Sequence, residues 1–362
     1  MHKKVLVFGL LLAALFPVSS FAATAPKLVY SAWMPYWAKA SGTPVALQHL
    51  ATFNSLSPFA YEVEDDGTIV DSMKLATDPW TTLIASSSQK KVKIIPSILW
   101  IHGDAIHTVL AATSSRTLHV DDIVSMVTRN NFDGIDIDYE NKKSITKDAF
   151  SAFIKDLAVK LYKKHKLLVC TIEARTPPSS LYRTIPKNIE YVNDYKVLNR
   201  NCDEIRIMTY DQTTADISLS DDKGTRSLYA PVADTDWVNK VVTLATKTID
   251  KKKIMIGVAT YGYVYKIDTS GATTTYEKMR AISDPDARAL ALVNGIQIGN
   301  YHNEAGELSF NYSKNGDRYY VSWSDANAVK DKIALAKKLG VKGVVLFKID
   351  GKEDPLVWNI LK

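Results

Sequence analysis

The 362-residue chain is predicted to be an α/β protein, a (β/α)8 TIM barrel with a small α+β insertion between its seventh and eighth strands. Three observations predict it. Eight short apolar or β-branched runs recur along the chain, amphipathic helical patterns separate them, and one interval near the C-terminus is too long for a single loop and helix. A composition that is 46% hydrophobic and 23% charged supplies enough apolar material for a core of that size.

The first stretch lies outside the barrel. His2, Lys3 and Lys4 precede an apolar run over 5–16, and Ser20-Phe21-Ala22 offers small residues where a signal peptidase reads, so 1–22 is expected to be a cleaved secretory leader. That run is short for a bilayer, and no later segment has the uninterrupted apolar length of a membrane helix. Neither cysteine lies near the cleavage region to take a lipid. The expectation is an exported protein, periplasmic or secreted, with no membrane span. The formal charge of +6 becomes +4 once Lys3 and Lys4 leave with the leader. So small a surplus, without a concentrated basic stretch, argues against nucleic acid as a partner.

The barrel is expected over 27–362, with strands at 28–33, 52–63, 92–99, 132–138, 167–173, 204–210, 253–259 and 341–348. Helical patterns at 121–130, 148–164, 237–249 and 325–339 repeat apolar residues every three or four positions, and the last ends at Gly340, a residue suited to a C-cap. The interval 264–322 holds Thr-rich and Asn/Gly-rich turns and strand-like pieces at 308–312 and 318–322, which makes it the α+β insertion. Cys170 and Cys202 sit in or beside apolar strand-like runs. Export would permit a bridge, but two free buried thiols are the expectation.

The fourth strand carries the sequence Asp133-Gly-Ile-Asp-Ile-Asp-Tyr-Glu140. Alternate residues of a strand share a face, so Asp136, Asp138 and Glu140 point one way and Ile135 and Ile137 the other. Asp133 falls with the isoleucines and is read as structural. Unpaired carboxylates on a packed face are costly and raise one another's pKa, so one of the three is expected to hold a proton at neutral pH. A solvated acidic edge would leave the isoleucines without a buried face. A calcium loop needs Gly at its sixth position and Glu at its twelfth, where this chain has Asn141 and Lys147.

Functional groups in such a barrel sit at the C-terminal ends of the strands. The first strand ends near Trp33, Tyr36 and Trp37, the second in Phe59 and Tyr61, and the third in Trp100. The fifth ends in Glu173 and Arg175, the sixth in Met208-Thr-Tyr-Asp211, and the seventh is followed by Tyr261 and Tyr263. Carboxylates ringed by aromatics suit a sugar, whose ring faces stack while its hydroxyls hydrogen-bond. Arg206 could offset an interior carboxylate or form an outward salt bridge.

The row at 133–140 resembles the signature of the family 18 glycoside hydrolases, the chitinases and related N-acetylglucosaminidases. Met208-Thr-Tyr-Asp211 is similar to that family's sixth-strand motif. Ser57-Pro-Phe-Ala-Tyr61 and the stretches 257–263 and 343–355 resemble its second, seventh and eighth strands. Within the family, the chain most resembles the compact bacterial branch of spore-cortex and peptidoglycan glucosaminidases.

The resemblance implies retaining hydrolysis of β-1,4-linked N-acetylglucosamine glycans with the substrate's acetamido group as nucleophile. Carried over by motif, Glu140 would protonate the glycosidic oxygen and later activate water. Asp138 would hold the acetamido N–H, Tyr210 would donate to its carbonyl oxygen, and Asp136 would tune Asp138 by sharing a proton. Asp211 would contact the sugar in the cleaved subsite, while Met208, Tyr36, Trp37, Tyr61, Trp100, Glu173, Tyr261 and Phe347 would line the groove. Phe347 stands where the family usually has Trp, and Pro96-Ser-Ile-Leu-Trp100 lacks the usual third-strand glycines. No cofactor or metal is called for, and the expected partner of a monomeric protein is a polysaccharide or oligosaccharide containing N-acetylglucosamine. A lectin-like member of the same family is the alternative, although such relatives lose the acid that Glu140 retains. Nothing in the sequence favours a coat or envelope interaction protein.

Overall fold

The computed structural model describes residues 27–299 and 302–361, and the leader expected at 1–22 lies outside them. Eight parallel strands close into a barrel. They are Val29–Pro35, Ser55–Val63, a third strand in two pieces (Lys93–Ile94 and Ser97–Trp100), Gly134–Tyr139, Leu167–Glu173, Glu204–Met208, Ile254–Ala259 and Gly343–Phe347. The first strand pairs with both the eighth and the second, which completes the ring. Pro96 explains the break in the third strand, because it has no N–H for the ladder.

The two faces of the strands differ sharply. Ile98, Ile135, Ile137, Ile172, Ile205 and Ile207 are buried on the outer face against the helices. Lys147–Tyr162 meets them with Phe150, Phe153, Ile154, Leu157 and Leu161, a stripe at three-to-four spacing. The interior instead holds Ser31, Ser57, Ser97, Asp136, Thr171 and Arg206, all at 0–2% exposure, so the lumen is filled by a hydrogen-bonded polar network. Ala326–Leu339 begins where the Asp325 side chain accepts from the Ala328 N–H, and it ends at Gly340 in the left-handed region (φ +68°).

Several helices have no clear sequence pattern. Lys39–Gln48 contains Gly42 and Pro44, Trp80–Lys90 carries a serine run, and Thr113–Arg129 starts ahead of the expected 121 with a polar Thr-Ser-Ser-Arg-Thr segment. Tertiary packing rather than propensity holds these turns.

The insertion is a four-stranded antiparallel sheet of Tyr261–Asp268, Thr275–Ser283, Leu308–Lys314 and Asp317–Trp323, with the helix Asp284–Val293. Thr275–Ser283 is exposed over most of its length and shows no buried alternation. No helix among the described residues is long and apolar enough to cross a membrane.

The cysteines are a correction. Cys170 and Cys202 form a disulfide, with Cα atoms 6.1 Å apart and a sequence separation of 32. Cys170 lies on the outer face of the fifth strand beside Ile205 of the sixth, and Cys202 caps the helix Tyr195–Asn201 that leads back to that strand. The strand-helix-strand unit therefore returns one thiol to the other. Sequence spacing cannot show this without the strand order.

Candidate active site

The site rises from the fourth strand. Asp136 is fully buried and accepts hydrogen bonds from four other strands: Trp33 Nε1 (2.8 Å), Ser97 Oγ (2.7 Å), Thr171 Oγ1 (2.7 Å) and the Arg206 guanidinium (3.2 Å). Arg206, itself wholly buried, also donates to Glu204 (2.8 Å) and to Ser57 Oγ (2.6 Å). The arginine thus faces inward. Three of the four donors, Trp33, Ser97 and Arg206, meet Oδ2 of Asp136, and Thr171 alone meets Oδ1.

Asp138 is the next acid up, 2% exposed, and its Oδ1 is buried without a hydrogen-bond partner. Burial pushes its carboxyl well above the usual carboxylate range; the neighbouring Glu140 and Asp136 charges push the same way and Lys142 opposes them. Glu140 is half-buried at the rim, where its backbone N–H donates to the Trp100 carbonyl (2.8 Å). Its carboxyl is also raised, by burial and then by Glu173 and Asp211, against the pull of Lys142. Four carboxylates here, Asp136, Asp138, Glu140 and Glu173, meet two cations. Arg206 lies on Asp136 and Lys142 on Glu173. Asp138 and Glu140 form no ion pair of their own, and both carboxyls are raised.

Lys142 had no sequence signal. The chain turns back at Asn141 (φ +56°), and Gly103 makes room for that turn, since a Cβ there would lie 2.2 Å from the Asn141 carbonyl oxygen. The Lys142 side chain then passes over the Phe150 ring and ends 3.2 Å from Glu173 Oε1, while Asn193 Nδ2 holds Oε2 at 2.7 Å. Ser97 and Thr171 were missed as well. Their parity with Asp136 becomes legible only once the strand register is known.

Aromatic groups complete the opening. Tyr210 stacks on Phe347 with centroids 5.2 Å apart and an interplanar angle of 14°. Gly257 allows this placement, because a Cβ there would come within 2.9 Å of the Tyr210 ring. Burial first, and then Asp138 and Asp211, hold the Tyr210 hydroxyl well above its ordinary pKa, so it stays a donor. Trp33, Phe59 and Tyr261 pack around Phe347. Trp37 is 56% exposed with Tyr36 at its edge, and it meets Phe59 at 6.5 Å. Asp211 (φ +59°) accepts from the hydroxyls of Tyr261 (2.8 Å) and Tyr263 (2.7 Å), which ties the insertion to the sixth-strand loop. Met208 sits beside Glu173 in the strand register.

Two expected groove residues point elsewhere. Tyr61 is buried on the helix side against Phe132, because the register slips between Phe59 and Tyr61: Phe59 pairs with interior Ser97, whereas Tyr61 pairs with outer Ile98. Trp100 is 1% exposed and packs on Tyr139 and His119. Its register partner is Tyr139, which lies on the outer face between Asp138 and Glu140.

A closed barrel carrying alternating acids on its fourth strand invites comparison with known families. The sequence profile of the glycosyl hydrolases family 18 matches residues 32–352. The chain belongs to this family. As a family 18 glycoside hydrolase it is similar, at 22% identity over 90% of its length and 92% of the relative's, to the uncharacterized glycosylase YvbX of Bacillus subtilis. The spore cortex-lytic enzyme SleL of Bacillus cereus has the same fold, with a TM-score of 0.74 at 21% identity over 93% of this chain and 74% of that one. A chitinase from Chromobacterium violaceum does too, with a TM-score of 0.73 at 22% identity over 92% of this chain and 98% of that one.

Proposed function

We propose that this family 18 enzyme cleaves β-1,4 linkages of N-acetylglucosamine-containing glycans, chitin oligomers or peptidoglycan strands, with retention at the anomeric carbon. The observation that carries the proposal is the Asp138–Glu140 pair. Burial raises both carboxyls and neither forms an ion pair, with one carboxyl closed off from solvent and the other at the rim of the groove.

The chemistry follows from those positions. Glu140 gives its proton to the glycosidic oxygen as the bond to the anomeric carbon breaks. The carbonyl oxygen of the substrate's own acetamido group attacks that carbon and forms an oxazolinium ion. Asp138, with a free buried oxygen, accepts the acetamido N–H, and the Tyr210 hydroxyl donates to the carbonyl oxygen. Glu140, now ionised, takes a proton from water, whose oxygen opens the ring from the face the leaving group vacated. Trp37, Phe59 and Phe347 offer stacking surfaces, and Asp211 a hydroxyl contact. The leader pattern at 1–22 supports export, which mass analysis of the N-terminus of the secreted protein checks.

Labelled chito-oligosaccharides and purified glycan strands test the reading. Release of products as the β-anomer, lost in Glu140→Gln, is expected. Cleavage of neither substrate, with Glu140→Gln indistinguishable from the native enzyme, overturns it.

A further inference from the structure

The end of the barrel opposite the acids carries a separate feature. All strands run parallel, so the segments entering them gather at one end, and those segments are rich in lysine: Lys91 and Lys93 at the third strand, Lys163 and Lys164 at the fifth, and Lys251 and Lys252 at the seventh. All six are exposed, and none forms an ion pair among the described residues. Several lysines around the acid end are held in ion pairs, although Lys39 and Lys147 there are exposed and unpaired among the described residues. Lys143 pairs with Asp104, Lys223 with Asp234 and Asp236, Lys348 with Asp350, and Lys352 with Asp286. Acids at the basic end are turned onto the chain: Asp133, Asp203 and Asp250 accept from the backbone N–H groups of Ile94, Leu168 and Lys252, and Glu204 is held by Arg206 and Lys342.

Cations after a helix C-terminus complement its dipole, which accounts for Lys163 and Lys164. It does not account for Lys93, Lys251 or Lys252, which sit at strand entries. The same end exposes apolar groups. Tyr162 is 82% exposed and Val159 54%, and both border a hollow of about 720 Å3 whose rim also holds Lys163, Lys166, Arg200 and Lys253. Unpaired lysines spread around a ring suit a plane of negative charge better than a thread lying in a groove. An exposed tyrosine among them matches the chemistry of a membrane interface.

We propose that this end of the barrel docks on an anionic phospholipid surface, with the acid-bearing mouth directed away from it. The docking needs no glycan and does not depend on the catalytic reading.

Vesicle flotation tests it, using the full barrel with phosphatidylcholine vesicles that contain about one-third phosphatidylglycerol and with phosphatidylcholine alone. Retention on the anionic vesicles at low salt, falling about tenfold or more on raising salt and in Lys163→Glu/Lys164→Glu/Lys251→Glu/Lys252→Glu, is expected. That variant should keep its melting temperature and its turnover of a soluble chito-oligosaccharide. Tyr162→Ser should weaken retention with the charge untouched. Equal retention on neutral vesicles, no retention on anionic ones, or retention that survives charge reversal overturns the proposal. Insensitivity to Tyr162→Ser, together with full displacement by a soluble glycerol-phosphate polymer, assigns the face to a polymer and overturns the lipid.

Discussion

The ammonium group of Lys142 lies 3.2 Å from Glu173 Oε1, with the lysine side chain wholly buried and the glutamate open to solvent. A residue of the loop after the fourth strand and one at the end of the fifth thereby set the charge beside Glu140. Removing either partner is expected to move the titration of Glu140 in opposite directions. Glu173→Gln takes away a negative charge that raises the Glu140 carboxyl, so the alkaline limb of the kcat/KM profile should shift to lower pH. Lys142→Met takes away the charge that lowers it, so the limb should shift to higher pH. pH profiles on a soluble chito-oligosaccharide decide the matter, and limbs moving together would contradict the arrangement.

Arg206 is the stability hinge of the lumen. Arg206→Met leaves Asp136 and Glu204 buried without their shared cation, and the unfolding free energy should drop by about 3–5 kcal/mol. Adding Asp136→Asn should recover part of that loss while leaving the enzyme poorly active, which denaturant melts and rate assays on the two variants would separate.

Behind the acids, His119 packs beneath Tyr139. Its Nε2 accepts from the Tyr139 hydroxyl (2.5 Å), its Nδ1–H donates to the Gly67 carbonyl (3.0 Å), and burial pushes its pKa down to about 4. The unfolded chain, with an ordinary histidine near 6.5, binds a proton that the folded chain refuses. Stability from this site is complete above about pH 6.5 and declines as pH falls towards 4, by about 3 kcal/mol in all. Urea midpoints at several pH values should show this slope in the native protein and a shallower one in His119→Gln.

The disulfide closes a loop of 32 residues around the fifth strand. Its removal by Cys170→Ser/Cys202→Ser should cost about 3–4 kcal/mol through the freed unfolded chain. Calorimetry of the double variant measures it; an unchanged melting temperature would contradict the bridge.

Much of this was legible in the residues and some was not, for identifiable reasons. Barrel strands announced themselves because each has one face against helices, and the acid row stood out because Ile135 and Ile137 alternate with charge. Parity failed at Tyr61, where one extra residue in the strand reverses every later side chain, and at Trp100, whose face is set by pairing with the fourth strand. Lys142 was invisible, since only the turn at Asn141 aims it at Glu173. The first two strands of the insertion escaped notice because Tyr261–Asp268 is buried on both faces and Thr275–Ser283 buries too little, so neither carries an alternation.

The hydrogen bond from Trp33 to Asp136 joins residues 103 positions apart, and Arg206 reaches the same carboxylate from 70 residues on the other side. Such contacts form only after the long intervening loops have closed. A chain with all its helices but an open ring would have the acids without their anchorage. Recovered hydrolysis during refolding should therefore lag behind recovered helicity, and the turnover rate becomes a clock for the moment the first strand meets the eighth.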